Sequence, residues 1–413
     1  MRILVSFFAS EVHGEDYYTN ALSIFKKVFD TRNVEVLEKP ITNTDLAEKI
    51  AESKREYLPI ITVLTGGTSS LIHRYVSRGG FNKVIILAHT EHNSIASAVS
   101  ARSKIEEEGS RALLFWCEDL YGSECRDTID KVLRIAGGIL RVSSSRILVI
   151  RDSERRGYDE EFEKRFGSKI SVLSIDHVLK LMSKQDLVLI NEISREIESK
   201  YDFSLDRKDL GKIASLYIVM RDLSKQHDVI SIDCFPFILR AKVTPCIPLS
   251  LLNERGIIAT CEADLTVIPS MILARALSGR SGWIGNIASA RGNEIMFSHC
   301  TIALDIVRGR ARILSHFETS LPYAVSGEIA GDVATIISFS RDFTKAAIGR
   351  GRIKRSGLLS DKTCRTQVVL EMDSDAEKIP RIAPTNHHVL ILGDYLSELR
   401  DITYIYGIDA TYY

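Results

Sequence analysis

Short apolar runs alternate with amphipathic stretches over the first part of the chain. The apolar runs predict strands at Arg2–Phe8, Val34–Leu37, Ile60–Leu64, Lys83–Leu87 and Arg111–Trp116. Between them, apolar residues recur at helical spacing over Asp16–Phe29, Asp45–Ser53 and Ser94–Glu108. Continuous apolar strands separated by helices are typical of a parallel sheet that is covered on both faces. The pattern therefore predicts an α/β domain over residues 1–144.

A second alternation of strands and helices predicts another α/β domain, over residues 145–280. Its strands are expected at Arg146–Ile150, Ser171–Ile175, Val229–Ile232 and Ile257–Thr260, with helices near Asp206–Leu223 and Asp264–Leu277. The pattern then changes to short runs of β-branched residues at Glu294–Ser298, Arg312–Phe317, Val333–Ser340 and Gln367–Leu370, before a final helix at Tyr395–Tyr406. Short strands with few helices indicate an antiparallel sheet or barrel. Residues 281–413 are therefore predicted to form a β-rich, barrel-like domain.

Composition and charge narrow the class of protein. A chain of 413 residues is too long for one ordinary core. Lys+Arg and Asp+Glu each number 54, so the formal net charge is zero, and neither nucleic acid nor a membrane surface is expected as a partner. No apolar run reaches the length of about 18 residues that a transmembrane helix needs. The seven cysteines are scattered without metal-site spacing, which predicts reduced thiols and a cytoplasmic location.

Three carboxylates near predicted strand ends are candidates for chemistry. Asp233 follows the strand Val229–Ile232, and Glu262 and Asp264 follow Ile257–Thr260. Asp264 stands where a helix begins and is well explained as an N-cap. Glu262 has no such explanation, and a partly desolvated carboxylate requires a cation or a hydrogen-bond donor. We therefore favour Glu262 as a metal ligand or proton-transfer base, with an internal salt bridge as the alternative.

Histidines near two predicted strands extend this set. His299 ends one strand-like run, and His387 and His388 begin another. One isolated histidine is usually a core residue, but two such elements combined with Glu262 favour a metal site. Oxygen-rich ligation with an added imidazole suits Mn²⁺ or Mg²⁺ better than structural Zn²⁺.

The chain resembles the L-fucose isomerase and L-arabinose isomerase superfamily, and in particular its shorter fucose isomerase-like members. The resemblance lies in five motifs that occur in the expected order: Thr244-Pro245-Cys246, Cys261-Glu262-Ala263-Asp264, His299-Cys300, Cys364-Arg365-Thr366-Gln367 and Asn386-His387-His388. Together they span the region from about Asp233 to Asp394. Each motif alone is weakly specific, whereas their combination is a fairly specific signature.

The resemblance implies two Rossmann-like domains followed by a β-rich C-terminal domain. It also implies a homo-oligomer, a trimer or hexamer, that isomerises small sugars with Mn²⁺ or a similar divalent cation. In this family, carboxylates move a proton between C1 and C2 of the open-chain sugar through an ene-diol. By resemblance, Glu262 is the first carboxylate, His299 lies near the metal, and either His387 or His388 is the C-terminal ligand. Asn386 precedes these histidines and is expected near the substrate.

Asn286 is the departure from the family pattern. The family's second carboxylate falls at or beside this position in Trp283-Ile284-Gly285-Asn286. An asparagine can offer its carbonyl oxygen to a metal, but it cannot take up a proton at neutral pH. Three alternatives follow: Asp233 or Asp264 substitutes, Glu294 is the second carboxylate, or the protein binds a sugar without converting it.

Overall fold

The computed structural model describes residues 2–30, 32 and 34–413, and they form two compact units. The first unit contains residues up to 140 together with 401–407. The second contains residues 141–400 and 408–413. The boundaries predicted at residues 144 and 280 stay predictions. Among the described residues, no helix combines the length and the apolar character needed to cross a bilayer.

The first unit is built on a parallel sheet. Its strands are β1 (Arg2–Phe8), β2 (Glu35–Val36), β3 (Tyr57–Val63), β4 (Lys83–His89) and β5 (Arg111–Cys117), in the order β2-β1-β3-β4-β5. The helices along this part of the chain are α1 (Glu15–Phe29), α2 (Thr44–Ser53), α3 (Ser69–Gly79), α4 (Ser94–Glu107) and α5 (Ser123–Ser144). The three inner strands β1, β3 and β4 are almost entirely buried, as expected for a parallel sheet with helices on its faces.

The expectation that all cysteines are reduced is wrong for one pair. Cys117 ends β5 and Cys125 lies in the first turns of α5, and the two form a disulfide. The short return of the chain from strand to helix brings their Cα atoms to 4.7 Å, which is within the range that a disulfide requires. Of the other five cysteines, four are buried and Cys364 is half-buried.

The second unit begins with another parallel sheet. The elements of this part are β6 (Arg146–Ile150), α6 (Gly157–Phe166), β7 (Lys169–Leu173), α7 (Ile175–Met182), α8 (Leu187–Lys200), β8 (Tyr201–Phe203), α9 (Leu210–Leu223), β9 (Val229–Ile232), α10 (Cys234–Ala241), α11 (Cys246–Glu254), β10 (Ile258–Cys261) and α12 (Ile268–Ser278). The sheet order is β10-β9-β6-β7, and all of its pairings are parallel. Its last strand ends immediately before Glu262.

Antiparallel strands follow and close into a barrel. The remaining elements are β11 (Trp283–Arg291), β12 (Glu294–His299), β13 (Val307–Ser315), β14 (Pro322–Ile329), β15 (Val333–Phe339), β16 (Lys345–Gly357), β17 (Thr366–Met372), α13 (Ile379–Ile382), β18 (His387–Leu392), α14 (Leu396–Ile405) and β19 (Asp409–Tyr412). Six strands run in the order β15-β18-β11-β12-β17-β16, and pairing of β15 with β16 closes the ring. The predicted fold class, two parallel-sheet α/β regions followed by a β-rich barrel, is confirmed.

Several boundaries differ from the predicted ones for local reasons. The helix predicted from Asp264 starts as a 3₁₀ turn at Leu265–Val267, and α12 begins only at Ile268. Asp264 caps the turn, which confirms its predicted N-cap role. The strand predicted at Arg312–Phe317 ends at Ser315, because the chain turns back there and Ser320 donates its amide to the His316 carbonyl.

A buried ion pair stabilises the start of the second unit. Arg151 follows β6, and its guanidinium donates to the carboxylate of Asp159 in α6. Their side chains are 2% and 0% exposed, so neither charge is hydrated. The same carboxylate accepts the Arg156 amide at 2.9 Å, which ties the loop to the helix. Removal of one partner would leave a charge buried without compensation.

We expect Asp159→Ala to lower the free energy of unfolding by about 3–5 kcal/mol, because Arg151 loses the carboxylate that compensates its charge while staying buried. Asp202→Ala is the matched control. Asp202 pairs with Arg310 at the surface, where the side chains are 59% and 52% exposed, and its removal should cost about 0–1 kcal/mol. Urea denaturation of both variants measures the difference. Equal destabilisation of the two variants would contradict the conclusion that the buried pair contributes more to stability than the exposed pair.

Candidate metal centre

Three side chains from three separate strand ends converge in the second unit. Glu262 follows β10, His299 is the last residue of β12, and His387 is the first residue of β18. One oxygen or nitrogen atom from each lies within 4.8 Å of the others. The sequence predicted all three as candidates, and the structure brings them together.

The backbone at Glu262 is held in an uncommon conformation. Glu262 and Ala263 have φ angles of 63° and 50°, in the left-handed region that non-glycine residues rarely adopt. The Ala263 amide donates to the carbonyl of Ile232, the last residue of the neighbouring strand β9, at 3.1 Å. Strained conformations of this kind persist where surrounding contacts impose them, and they are concentrated at functional sites. Here the turn directs the Glu262 side chain towards the two histidines.

Strand β11 sets the position of the histidines. It pairs with both β12 and β18, and Asn286 stands opposite Ser298 on one side and His387 on the other. His299, one residue beyond Ser298, therefore lies near His387 across the width of one strand. Their ring centroids are 6.1 Å apart. The register of the barrel thus joins residues that are 88 positions apart in sequence.

The geometry fits a divalent cation. His299 Nε2 lies 3.7 Å from Glu262 Oε1, and His387 Nε2 lies 3.5 Å from Glu262 Oε2. His387 Nε2 is buried and has no hydrogen-bond partner among the described residues. A buried polar atom without a partner is costly, and an ion held between these three donors would satisfy it. Two imidazoles and one carboxylate would hold such an ion, so the cluster is richer in nitrogen than the sequence predicted.

Asp264 fixes the orientation of His387. Its Oδ2 accepts from His387 Nδ1 at 2.7 Å, while Oδ1 accepts from the amide and hydroxyl of Thr266, both at 2.8 Å. The bond turns the opposite nitrogen, Nε2, towards Glu262, where it could bind a cation after losing its proton. A carboxylate behind a histidine is the usual support of a metal-binding imidazole. Asp264 therefore positions the imidazole of His387.

The charges in the cluster shift one another's pKa values. Burial acts to raise the pKa of Glu262, but the facing imidazoles of His299 and His387 hold it well below its usual range. The pKa of Asp264 is also lowered, because the interaction with His387 outweighs its burial. Burial acts to lower the pKa of His387, whereas Asp264 and Glu262 raise it to about 10. Without a metal, His387 is therefore an imidazolium between two carboxylates.

His388 lies on the opposite face of β18 and is not part of this cluster. Successive residues of a strand point to opposite sides, so only one of the two neighbouring histidines can face Glu262. His388 is almost fully buried, with Nε2 2.9 Å from the Tyr413 hydroxyl and Nδ1 3.1 Å from the Asn386 carbonyl. Burial lowers its pKa to about 4. The choice that the sequence left open is thus resolved by placement in favour of His387.

The two asparagines bind each other at the edge of the cluster. Asn386 Nδ2 donates to Asn286 Oδ1 at 2.5 Å, and Asn386 Oδ1 accepts the amide of Ile287 at 3.1 Å. The oxygen that Asn286 was expected to offer to a metal is therefore engaged by Asn386. Both residues line the cavity beside Glu262.

The other carboxylates lie outside the cluster. Asp233 occupies the N-cap position of α10, and its pKa is raised by burial, with the negative charges of Asp152 and Glu262 adding to the effect. Glu294 begins β12, five residues before His299. At about 3.3 Å per residue this separation is about 17 Å. Glu294 instead pairs with Arg355 at 3.3 Å. The alternative that Glu294 supplies the second carboxylate is therefore wrong.

Two cavities flank Glu262. The first, of about 370 Å³, is also lined by His299, His316 and Glu318, and by five cysteines. The second, of about 760 Å³, is lined by His387 and Asp264 and by two arginines, Arg156 and Arg341. Sequence reasoning missed His316 and Glu318. They follow β13, and only the turn after that strand, which no motif marks, brings them to the cavity.

No protein-family model matches the chain. The chain is similar to two curated proteins named sulfoquinovose isomerase, one from Priestia aryabhattai and one from Priestia megaterium (strain ATCC 12872 / QMB1551). Each is 25% identical over 149 residues, which cover 34% of this chain and 33% of the relative. The match therefore spans about a third of the length of these relatives. It supports a distant relationship with a sugar isomerase and does not point to fucose isomerases in particular.

We expect the two neighbouring histidines to be in opposite charge states in the metal-free protein near pH 7, with His387 protonated and His388 neutral. Because the folded-state pKa of His387 is raised from its ordinary 6.5, its contribution to stability is complete below that pH. That contribution is lost as the pH rises through about 10. Histidine NMR titration, assigned with His387→Gln, measures both states.

Asp264→Asn provides the control for this titration. It should lower the pKa of His387, because the carboxylate that stabilises the imidazolium is gone, and should leave the His388 signal unchanged. Titration of both rings near their ordinary value in the unaltered protein would contradict the charge arrangement.

Proposed function

We propose that this protein is a metal-dependent aldose–ketose isomerase similar to the L-fucose and L-arabinose isomerases. The observation that carries the proposal is the convergence of Glu262, His299 and His387, with the buried His387 Nε2 lacking a hydrogen-bond partner among the described residues. The distant similarity to sulfoquinovose isomerases supports a sugar as the substrate. The cytoplasmic location and the homo-oligomeric assembly expected from the sequence stay predictions.

In this proposal, Glu262, His299 and His387 hold a divalent cation. A bound cation would hold neighbouring sugar oxygens and stabilise the negative charge that develops on them. Because imidazole nitrogens outnumber carboxylate oxygens in the cluster, we favour Mn²⁺ over Mg²⁺, which prefers oxygen ligands. Asp264 keeps the Nε2 lone pair of His387 directed at the site.

The proton is moved by a different carboxylate from the one that holds the ion. The low pKa of Glu262 makes it a stable anion and hence a good ligand, but a weak base. Glu318 lines the same cavity as Glu262 and His299, and it is exposed to solvent. We propose that Glu318 takes the proton from one carbon of the open-chain sugar and returns it to the neighbouring carbon through an ene-diol. Glu318 would thereby perform the proton transfer that Asn286 cannot perform, because an asparagine side chain has no titratable group.

A second candidate function is sugar binding without turnover. Asn286 stands where the resembled family has a carboxylate, and its oxygen accepts a hydrogen bond from Asn386. A site with one carboxylate fewer binds a cation with less compensating charge. The asparagine pair still offers hydrogen-bonding groups to sugar hydroxyls on the cavity wall. In this second candidate function, the cluster still holds a cation, but no proton is transferred.

We expect the protein loaded with Mn²⁺ to convert an aldose to a ketose in D₂O, with deuterium incorporated at C1 or C2. The panel comprises sulfoquinovose, L-fucose, L-arabinose and D-arabinose, with mass spectrometry of the sugars as the readout. Glu262→Gln should weaken Mn²⁺ binding by more than roughly 100-fold, because it removes a ligand, and should abolish turnover. Glu294→Gln is the matched control and should change neither quantity, since Glu294 pairs with Arg355.

Manganese bound at one ion per chain without exchange into any sugar would overturn the isomerase proposal and favour the binding protein. The Asn286→Asp variant then distinguishes between two explanations for the missing activity. Activity gained in that variant would identify a decayed isomerase, and continued inactivity would indicate a site built for binding.

Glu318→Gln should lower kcat by about 10²–10⁴-fold, as expected for loss of a proton-transfer group, while Mn²⁺ affinity is retained. Glu328→Gln, at an exposed glutamate paired with Arg308, is the control for loss of surface charge. An unchanged kcat in Glu318→Gln would eliminate Glu318 as the proton carrier.

A further inference from the structure

All five cysteines outside the disulfide line the same cavity. Cys234, Cys246, Cys261, Cys300 and Cys364 lie on the wall of the 370 Å³ cavity beside Glu262. They come from the starts of α10 and α11, the end of β10, the residue after β12 and a loop before β17. The sequence separates the first and last of them by 130 positions, so their convergence is a product of the fold.

Two of these thiols form a direct pair. The antiparallel ladder between β12 and β17 ends at the pair His299 and Thr366, and Cys300 and Cys364 lie just beyond that end. Ser298 Oγ and Thr363 Oγ1, on either side, are 2.8 Å apart, which holds the two chain segments together. Cys300 lies two residues after Ser298, Cys364 directly follows Thr363, and both cysteines line the same cavity. The end of one strand and the approach to the next therefore present two neighbouring sulfurs.

Accessibility distinguishes this pair from the other thiols. Cys234, Cys246, Cys261 and Cys300 are buried, whereas Cys364 is half-buried. Cys364 is therefore the thiol of this wall that is most open to a small reagent. Thiols that combine exposure with an adjacent second thiol are those that oxidise reversibly, because a disulfide forms before further oxidation occurs.

We propose that Cys300 and Cys364 form a redox-active dithiol site for small peroxides in the wall of this cavity. One of the two sulfurs attacks one peroxide oxygen, the O–O bond breaks, and the thiol proton leaves with the second oxygen as water. The resulting sulfenic acid is attacked by the sulfur of the other cysteine. The S–O bond breaks, the second water leaves, and a disulfide remains. Two thiols are thereby oxidised and one peroxide is reduced.

This site goes beyond the proposed isomerase and does not depend on it. Cys300 directly follows His299, and Cys261 directly precedes Glu262, so the thiol wall is adjacent to the candidate metal centre. Oxidation at Cys300 therefore modifies the wall of the cavity that Glu262 shares. The disulfide of Cys117 and Cys125 belongs to the other unit and can be followed separately.

The test uses the full, metal-free chain, reduced under mild conditions and treated with hydrogen peroxide. Remaining thiols are alkylated, and mass spectrometry of the peptides locates each cysteine. We expect a linked pair of peptides containing Cys300 and Cys364, equal loss of alkylation at both residues, and full recovery after addition of dithiothreitol. Cys234, Cys246 and Cys261 should keep their alkylation at the same peroxide dose, because they are buried and, unlike Cys300, do not lie beside Cys364 at the end of the β12–β17 ladder.

Two variants make the result specific. Cys364→Ser should abolish the linked peptide, and Cys246→Ser, which removes a buried thiol on the same wall, should leave it intact. The proposal is overturned if Cys300 and Cys364 stay fully alkylated at peroxide doses that oxidise the other thiols. It is also overturned if Cys300 links to Cys246 in the unaltered chain. Both outcomes are read from the unaltered protein and do not require the variants to fold.

Discussion

The hydrogen bond between Asp264 and His387 is the contact on which the candidate site depends. It joins Asp264, three residues beyond the last strand of the parallel sheet, to the first residue of a barrel strand, at 2.7 Å. Both groups are largely buried, so neither can exchange the contact for water at low cost. The bond holds Nδ1 of His387 against Asp264 and leaves Nε2 directed at Glu262. Without this bond, nothing would orient His387, on the barrel, towards Glu262, at the end of the parallel sheet.

Charge balance explains why this arrangement suits a cation. In the metal-free protein, two ionised carboxylates, Glu262 and Asp264, flank one imidazolium at His387. A divalent ion would displace the proton from His387 Nε2 and occupy the space that the proton leaves. Metal binding and proton release are then linked, as they are wherever ligands must be deprotonated. The pKa of His387 is thus raised because two negative carboxylates surround a single positive imidazolium.

The sequence predicted the elements of the fold well because their signals are local. Continuous apolar runs marked the parallel strands, and β-branched runs marked the barrel. It also predicted Glu262, His299 and His387, through their positions at strand ends and their family motifs. It could not choose between His387 and His388, because that choice depends on which face of β18 meets β10. The opposition of Asn286 to both Ser298 and His387 decides it, and such register is a property of the closed barrel.

Residues that the sequence missed share one cause: they reach the site through the ends of strands. Within a strand, neighbouring residues point to opposite faces, so a cysteine beside a ligand should face away from it. Cys261 and Glu262, and His299 and Cys300, nevertheless line one cavity. In the first pair, the chain leaves β10 and takes the left-handed conformation at Glu262, which breaks the alternation. In the second pair, β12 ends at His299. Both departures occur where pairing stops, so the same strand ends that assemble the candidate metal centre also gather the thiols around it.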